Sequence, residues 1–202
     1  MHHRSMQVTD AGDEWQGRPS LRLQGRSYSL PGGYFITLVI QQRELLLGSV
    51  SDGPVNLNDA GRMIERWWKE IPHKYPGVLL DQYVVMPNHI HAILVLTHGA
   101  WTRVRVNGPQ GVFDIDPGRP HRIAPTLGGV IGWFKTMTTA EYARGVRESN
   151  WTPFFRRLWQ QDFYEHIIRA DGLGPIREYI RRNPERWHLD AENQAADTHI
   201  RM

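Results

Sequence analysis

Two apolar runs, Val78 to Met86 and Ile90 to Leu96, are separated only by Pro87-Asn88 and the histidine that follows. Pro-Asn is a turn signal, so the pair reads as a β-hairpin. Neither run approaches the roughly 20 apolar residues of a membrane-crossing helix, and nor does any other stretch of the chain. A hairpin alone does not make a stable domain, so the rest of the sequence must supply strands to pair with it and helices to cover it.

It does so in a regular order. Tyr34 to Ile40 is rich in β-branched and aromatic residues and follows Pro31-Gly32-Gly33, which predicts a strand after a turn. Glu44 to Leu47 is expected as a short extended piece, with Ser51-Asp52-Gly53-Pro54 as a turn. Asn58 or Asp59 can cap a helix whose apolar positions Met63, Ile64, Trp67, Trp68 and Ile71 recur at helical spacing, and Pro72 is expected to stop it. Thr126 can cap a second helix through Val130, Ile131, Phe134, Met137 and Tyr142, its first turns weakened by Gly128, Gly129 and Gly132. Phe163 to Arg169 reads as a strand, and Gly172 to about Asn183 as a third helix before Pro184. The order β, α, β, β, α, β, α suits an α+β fold, a ferredoxin-like antiparallel sheet with helices on one face. Residues 1–20 are expected as a loose tail, 21–188 as the domain, 97–125 as a variable insertion within it and 189–202 as a polar tail.

Composition narrows the chemistry. The chain of 202 residues has no cysteine, so a metal must be held by His, Asn, Gln or carboxylate. That composition is compatible with a reducing cytoplasm, and no apolar N-terminal stretch suggests secretion. The formal charge is +3. Its basic side is almost all Arg, whose planar fork suits phosphate oxygens, and with eight Trp it forms a set that single-stranded nucleic acid sites use.

Two constellations carry candidate chemistry. In Pro87-Asn88-His89-Ile90-His91, strand alternation puts His89 and His91 on one face, roughly 7 Å apart at Cα. Two imidazoles can then converge on one divalent ion. In Glu178-Tyr179-Ile180-Arg181-Arg182-Asn183-Pro184, helical spacing puts Tyr179 and Asn183 on one face. A tyrosine phenolate can attack a phosphodiester, and a carboxamide oxygen can serve as a neutral metal ligand. Each pattern alone is more often structural than functional. Tyr164, Glu165 and His166 form a secondary set, with Tyr164 as an alternative nucleophile.

Taken together, the blocks resemble a known family. Tyr83-Val84-Val85-Met86-Pro87-Asn88-His89-Ile90-His91 is similar to the histidine–hydrophobic–histidine (HUH) motif of single-tyrosine transposases, and most of all to the REP-associated tyrosine transposases of bacteria. The resemblance runs through Tyr28 to Thr37, Leu57 to Gly61, Thr126 to Val130, Phe134-Lys135-Thr136, Trp159 to Arg169 and Glu178 to Trp187, in order and at compatible spacing. It implies a ferredoxin-like core and a divalent ion, Mg or Mn, on His89 and His91. It also implies Tyr179 as nucleophile, Asn183 where a third ligand is expected, and single-stranded or hairpin palindromic DNA as partner. The expected reaction is strand cleavage through a 5′-phosphotyrosine with release of a 3′-hydroxyl. Lys135, Arg177, Arg181 and Arg182 are the candidates for DNA-backbone contacts. The alternatives are a catalytically silent hairpin-binding protein and a metal phosphodiesterase that uses water. A homodimer, with the tyrosine helix completing a partner's site, stays open beside a monomer.

Overall fold

The computed structural model describes residues 31–51, 53–97, 125–169 and 171–193. The expected N-terminal tail, nearly all of the 97–125 insertion and the last nine residues lie outside the described residues. The elements are β1 (Gly32–Val39), β2 (Gly48–Val50), β3 (Val55–Leu57), α1 (Asp59–Lys74), β4 (Val78–Val85) and β5 (His89–Leu96), followed by α2 (Leu127–Glu148), β6 (Tyr164–Ile168) and α3 (Leu173–Arg182). One-turn 3₁₀ segments cover Gln41–Arg43 and Trp187–Leu189.

Four strands form one antiparallel sheet in the order β4-β5-β1-β6. With α1 and α2 as its two crossovers, the chain traces the βαββαβ path of a ferredoxin-like fold. The β4–β5 hairpin turns at Met86-Pro87-Asn88, as its two apolar runs require. β2 and β3 form a separate small hairpin around the 51–54 turn. Three residues per strand are too few to show an alternation in sequence, and only the turn between them is predicted.

α1 begins where Asn58 caps it: Oδ1 accepts from the Gly61 N–H at 2.9 Å, and Nδ2 donates to the Leu46 carbonyl at 2.9 Å. Gly61 is needed there because a Cβ would collide with the Leu47 backbone carbonyl. Pro72 does not stop the helix, which continues to Lys74. A proline so close to the end removes one intrahelical bond, and the Tyr75 N–H still closes the last turn onto the Ile71 carbonyl at 2.8 Å. α2 starts at Thr126, whose Oγ1 accepts from the Gly129 N–H at 3.0 Å. The early glycines do not prevent it, because Val130, Ile131 and Phe134 are buried just beyond them.

The sheet divides two cores by strand alternation. Tyr34, Ile36 and Leu38 of β1 and Ile90, Ala92 and Leu94 of β5 face α1 and α2, joining Trp68, Ile64, Phe134 and Tyr142. Phe35 and Ile93 point the other way, onto Ile176 and Ile180 of α3. The expectation of helices on one face therefore holds for α1 and α2 and needs correcting for α3, which lies across the opposite face. The reason is legible in α3: its apolar residues Ile176 and Ile180 form one narrow stripe, suited to the small apolar patch that Phe35 and Ile93 offer there. His89 and His91 share the parity of Ile93, so both histidines face α3.

Candidate metal centre and nucleophile

β5 presents the histidines as its alternation dictates. The rings of His89 and His91 lie with centroids 4.4 Å apart. Each is held from behind. His89 Nδ1 stands 2.8 Å from Asn88 Oδ1, and the Asn88 amide nitrogen donates to the carbonyls of Arg43 (3.1 Å) and Glu192 (2.8 Å). Asn88 thus turns its oxygen to the ring, and an oxygen of that kind can only accept. His89 Nδ1 therefore carries the proton, and its Nε2 holds a lone pair. His91 Nδ1 lies 2.8 Å from Thr37 Oγ1, and its ring stacks near Phe35 with centroids 5.5 Å apart. Both Nε2 atoms are left to point inward. Such bracing from the second ring nitrogen is what orients metal-binding histidines.

α3 brings the other expected groups to the same place. Tyr179 Oη lies 3.3 Å from His91 Nε2, with ring centroids 5.2 Å apart. Asn183, four residues on and at the end of α3, is buried with its Oδ1 lacking a hydrogen-bond partner. The structure thus brings together all four residues of the expected principal set.

It adds one that the sequence did not suggest. Asp190 Oδ2 lies 3.5 Å from His91 Nε2, 3.9 Å from His89 Nε2 and 2.6 Å from Asn183 Nδ2. The donor atoms of His89, His91 and Asp190 all fall within 4.8 Å of one another. Asp190 sits on the turn after α3, where the Asn193 N–H donates to its carbonyl at 3.0 Å and Asn193 Nδ2 donates to the Trp187 carbonyl at 2.8 Å. Asp190 thus lies two residues past the boundary expected at 188, in the segment expected as a polar tail. In a polar segment with no periodicity, only the carboxylate's distance past Pro184 could have hinted at this.

The electrostatics follow from burial. His89 is fully buried, and desolvation together with the neighbouring His91 lowers its pKa to about 3, against the pull of Asp190. Burial alone would raise the Asp190 carboxyl, but the hydrogen bond from His91 and the charges of both histidines hold it well below the carboxylate range. The Tyr179 phenol is pushed far up by burial and by the charges of Asp190 and Glu192. Without a cation the phenol is thus firmly protonated, and a neutral imidazole, a carboxylate and an orphaned amide oxygen face one point. Two lone-pair atoms without hydrogen-bond partners, His89 Nε2 and Asn183 Oδ1, are what a bound divalent ion would satisfy. The residues fit such an ion.

The secondary set divides across the sheet. Tyr164 pairs with Thr37 and lies on the histidine side, its ring 6.0 Å from that of Phe35. His166 shares that side but is exposed on the edge strand, while Glu165, opposite Ile36, faces the other way. The cationic candidates are engaged within the protein. Arg177 grips buried Asp81 with two hydrogen bonds of 2.8 and 2.5 Å. Arg181 and Arg182 pair with Glu178 on the exposed face of α3. Lys135 Nζ donates to the carbonyls of Gln160, Gln161 and Asp162, and burial lowers its pKa to about 8.

The chain is similar in fold to a solved REP-associated tyrosine transposase. It matches the structure of one such enzyme bound to a REP hairpin with a TM-score of 0.50 and 20% identity, over 85% of this chain and 77% of that one. The chain belongs to one family with an uncharacterised protein of Haemophilus influenzae, to which it is 33% identical over 175 residues, 86% of this chain and 91% of the relative. A Deinococcus radiodurans protein described as a transposase superposes more loosely, with a TM-score of 0.41 at 16% identity over 78% of this chain and 94% of that one. No protein-family model matches the chain. No helix among the described residues is long and apolar enough to cross a membrane.

Proposed function

We propose that the protein is a metal-dependent, single-tyrosine DNA nuclease of the transposase type, cutting and rejoining single-stranded DNA at short palindromic hairpins. The observation that carries this reading is the convergence of Tyr179 Oη, two inward-facing imidazole Nε2 atoms and the orphaned Asn183 oxygen at one buried point. The shared fold with a hairpin-bound transposase supports the choice of substrate.

His89 and His91 would hold Mg or Mn, with Asp190 and Asn183 supplying oxygen. The bound ion supplies positive charge that offsets that of the scissile phosphate and of the phenolate. Tyr179 Oη attacks the phosphorus, an O–P bond forms, and the bond to the 3′-oxygen breaks. The phenolic proton ends on the released 3′-hydroxyl, and the 5′ end stays on Tyr179 as a phosphodiester. The 3′-hydroxyl, or one from another strand, can reverse the step, so joining needs no outside energy source. Asn88 and Thr37 keep both imidazoles aimed, and Phe35 walls the site from the sheet side.

The burial of the whole group favours a second reading, a hairpin-binding protein without catalysis. Incubation of 5′- and 3′-labelled hairpins with the protein and Mn, followed by denaturing electrophoresis, separates the readings. The nuclease gives a slow-migrating protein–DNA adduct that carries the 3′ label, together with a free 5′-labelled fragment ending in a 3′-hydroxyl. Binding without cleavage supports the silent protein, and cleavage without an adduct supports a phosphodiesterase that uses water.

A further inference from the structure

Three connections that are far apart in sequence meet behind His89: the turn after β1, the β4–β5 turn and the turn after α3. The first two are joined through backbone, with the Ile40 N–H donating to the Asn88 carbonyl at 2.8 Å and the Leu47 N–H to the Pro87 carbonyl at 2.9 Å. Gln42 and Arg43 hold left-handed backbone there, at φ 58° and φ 55°. Side chains disfavour that conformation, so it persists where surrounding contacts hold it. At Arg43 the carbonyl accepts from Asn88 Nδ2 at 3.1 Å, and Nε donates to Glu192 Oε2 at 2.7 Å.

Glu192 ties the third connection to the other two. Its carboxylate takes the Arg43 guanidinium, its carbonyl accepts from Asn88 Nδ2 at 2.8 Å, and its N–H donates to Asp190 Oδ1 at 2.7 Å. That last bond leaves Asp190 Oδ2 to face Asn183 Nδ2 and the two imidazole Nε2 atoms. Asn88, held by the Arg43 and Glu192 carbonyls, turns its oxygen to His89 Nδ1. One ion pair thus stands behind both a histidine of β5 and the carboxylate that comes to meet it. Groups bonded to metal ligands set their aim, and losing such a group weakens metal binding.

We propose that Arg43 and Glu192 are positioning residues of the metal centre: their ion pair pins the turn after α3 onto the turn after β1, so that the Glu192 N–H holds the Asp190 carboxylate towards His89 and His91. The proposal rests on these last three residues forming a metal site and adds two residues outside the ligand set.

Calorimetric titration of the full chain with Mn, in the absence of DNA, tests it. Charge alone predicts that removing a cation near a divalent ion tightens binding. Arg43→Met is expected instead to weaken Mn binding by about three- to tenfold, between the effect of a half-exposed ion pair and that of a group bonded directly to a metal ligand. Reversing the pair, Arg43→Glu with Glu192→Arg, should recover most of the affinity lost by Arg43→Glu alone. Added to Asp190→Ala, Arg43→Met should cost less than it does in wild type, because the carboxylate it acts through is gone. Melting temperatures of the metal-free variants verify the fold. Binding by Arg43→Met that is unchanged or tighter, a reversed pair no better than Arg43→Glu alone, or an equal loss with and without Asp190 overturns the positioning role alone. Wild type that binds no Mn overturns the metal centre with it.

Discussion

At the level of single residues, the site depends on keeping His89 neutral. Its native pKa of about 3 lies below the ordinary 6.5, so between these values the unfolded chain binds a proton that the native protein does not. This contribution to stability is complete above pH 6.5 and is lost as pH falls from 6.5 towards 3. Asp190 acts in the same direction, but only below about pH 3.8, its ordinary value. Denaturant titrations of the chelated protein between pH 7 and pH 5 should therefore show stability falling by up to about 1.4 kcal/mol per pH unit. His89→Leu should flatten that slope, and an unchanged slope in the variant would refute the assignment. Calorimetric titration with Mn tests the ligands separately. Asp190→Ala and His91→Ala should each weaken binding by tenfold or more, while Tyr164→Phe should leave it unchanged.

The same residues show what the sequence can reveal. His89 and His91 are legible because strand alternation forces them onto one face, and Tyr179 and Asn183 because a helix places residues four apart together. Asp190 is not legible. It comes to the histidines through a turn fixed by bonds among Trp187, Asp190 and Asn193, and no short-range pattern announces such a turn. Of the cationic candidates, Arg177 is committed to Asp81 on β4, a carboxylate whose pairing depends on tertiary structure alone.

Among the elements, α3 has to be held in register over the sheet for the phenol to stay near His91. Ile176 and Ile180 pack on Phe35 and Ile93, and Arg177 pins the helix to β4. Ile180→Ala should cost about 2–4 kcal/mol in urea unfolding and should lower the yield of covalent adduct even in the fraction that remains folded. Arg177→Met leaves Asp81 buried without its cation and should cost about 2–3 kcal/mol, less than a fully buried pair because Arg177 is partly exposed. Gly61→Ala pushes a methyl group into the Leu47 carbonyl and should cost about 1–3 kcal/mol, although alanine has the higher helix propensity. Long elements with a clear period, such as α1, β4 and β5, are legible from the sequence to within a few residues. The β2–β3 hairpin is too short for that, and Pro72 misleads because a break near a helix end costs little.

Across the whole molecule, the sheet separates two tasks. One face is covered by α1 and α2 and provides most of the core. The other carries the histidines, α3 and the turn that delivers Asp190. This division explains why a ferredoxin-like frame can be anticipated from element order while the side occupied by the last helix cannot. Element order fixes the βαββαβ path, but only the parity of Phe35, Ile93 and the histidines decides which face α3 covers. In the proposed reaction Tyr179 is the residue that takes the DNA end. The most direct test of this is peptide mapping by mass spectrometry after the Mn reaction with a hairpin and nuclease trimming of the DNA. A nucleotide mass on the peptide containing Tyr179, absent in Tyr179→Phe, is the predicted result. The same mass on the Tyr164 peptide, or cleaved DNA with no modified peptide, would contradict it.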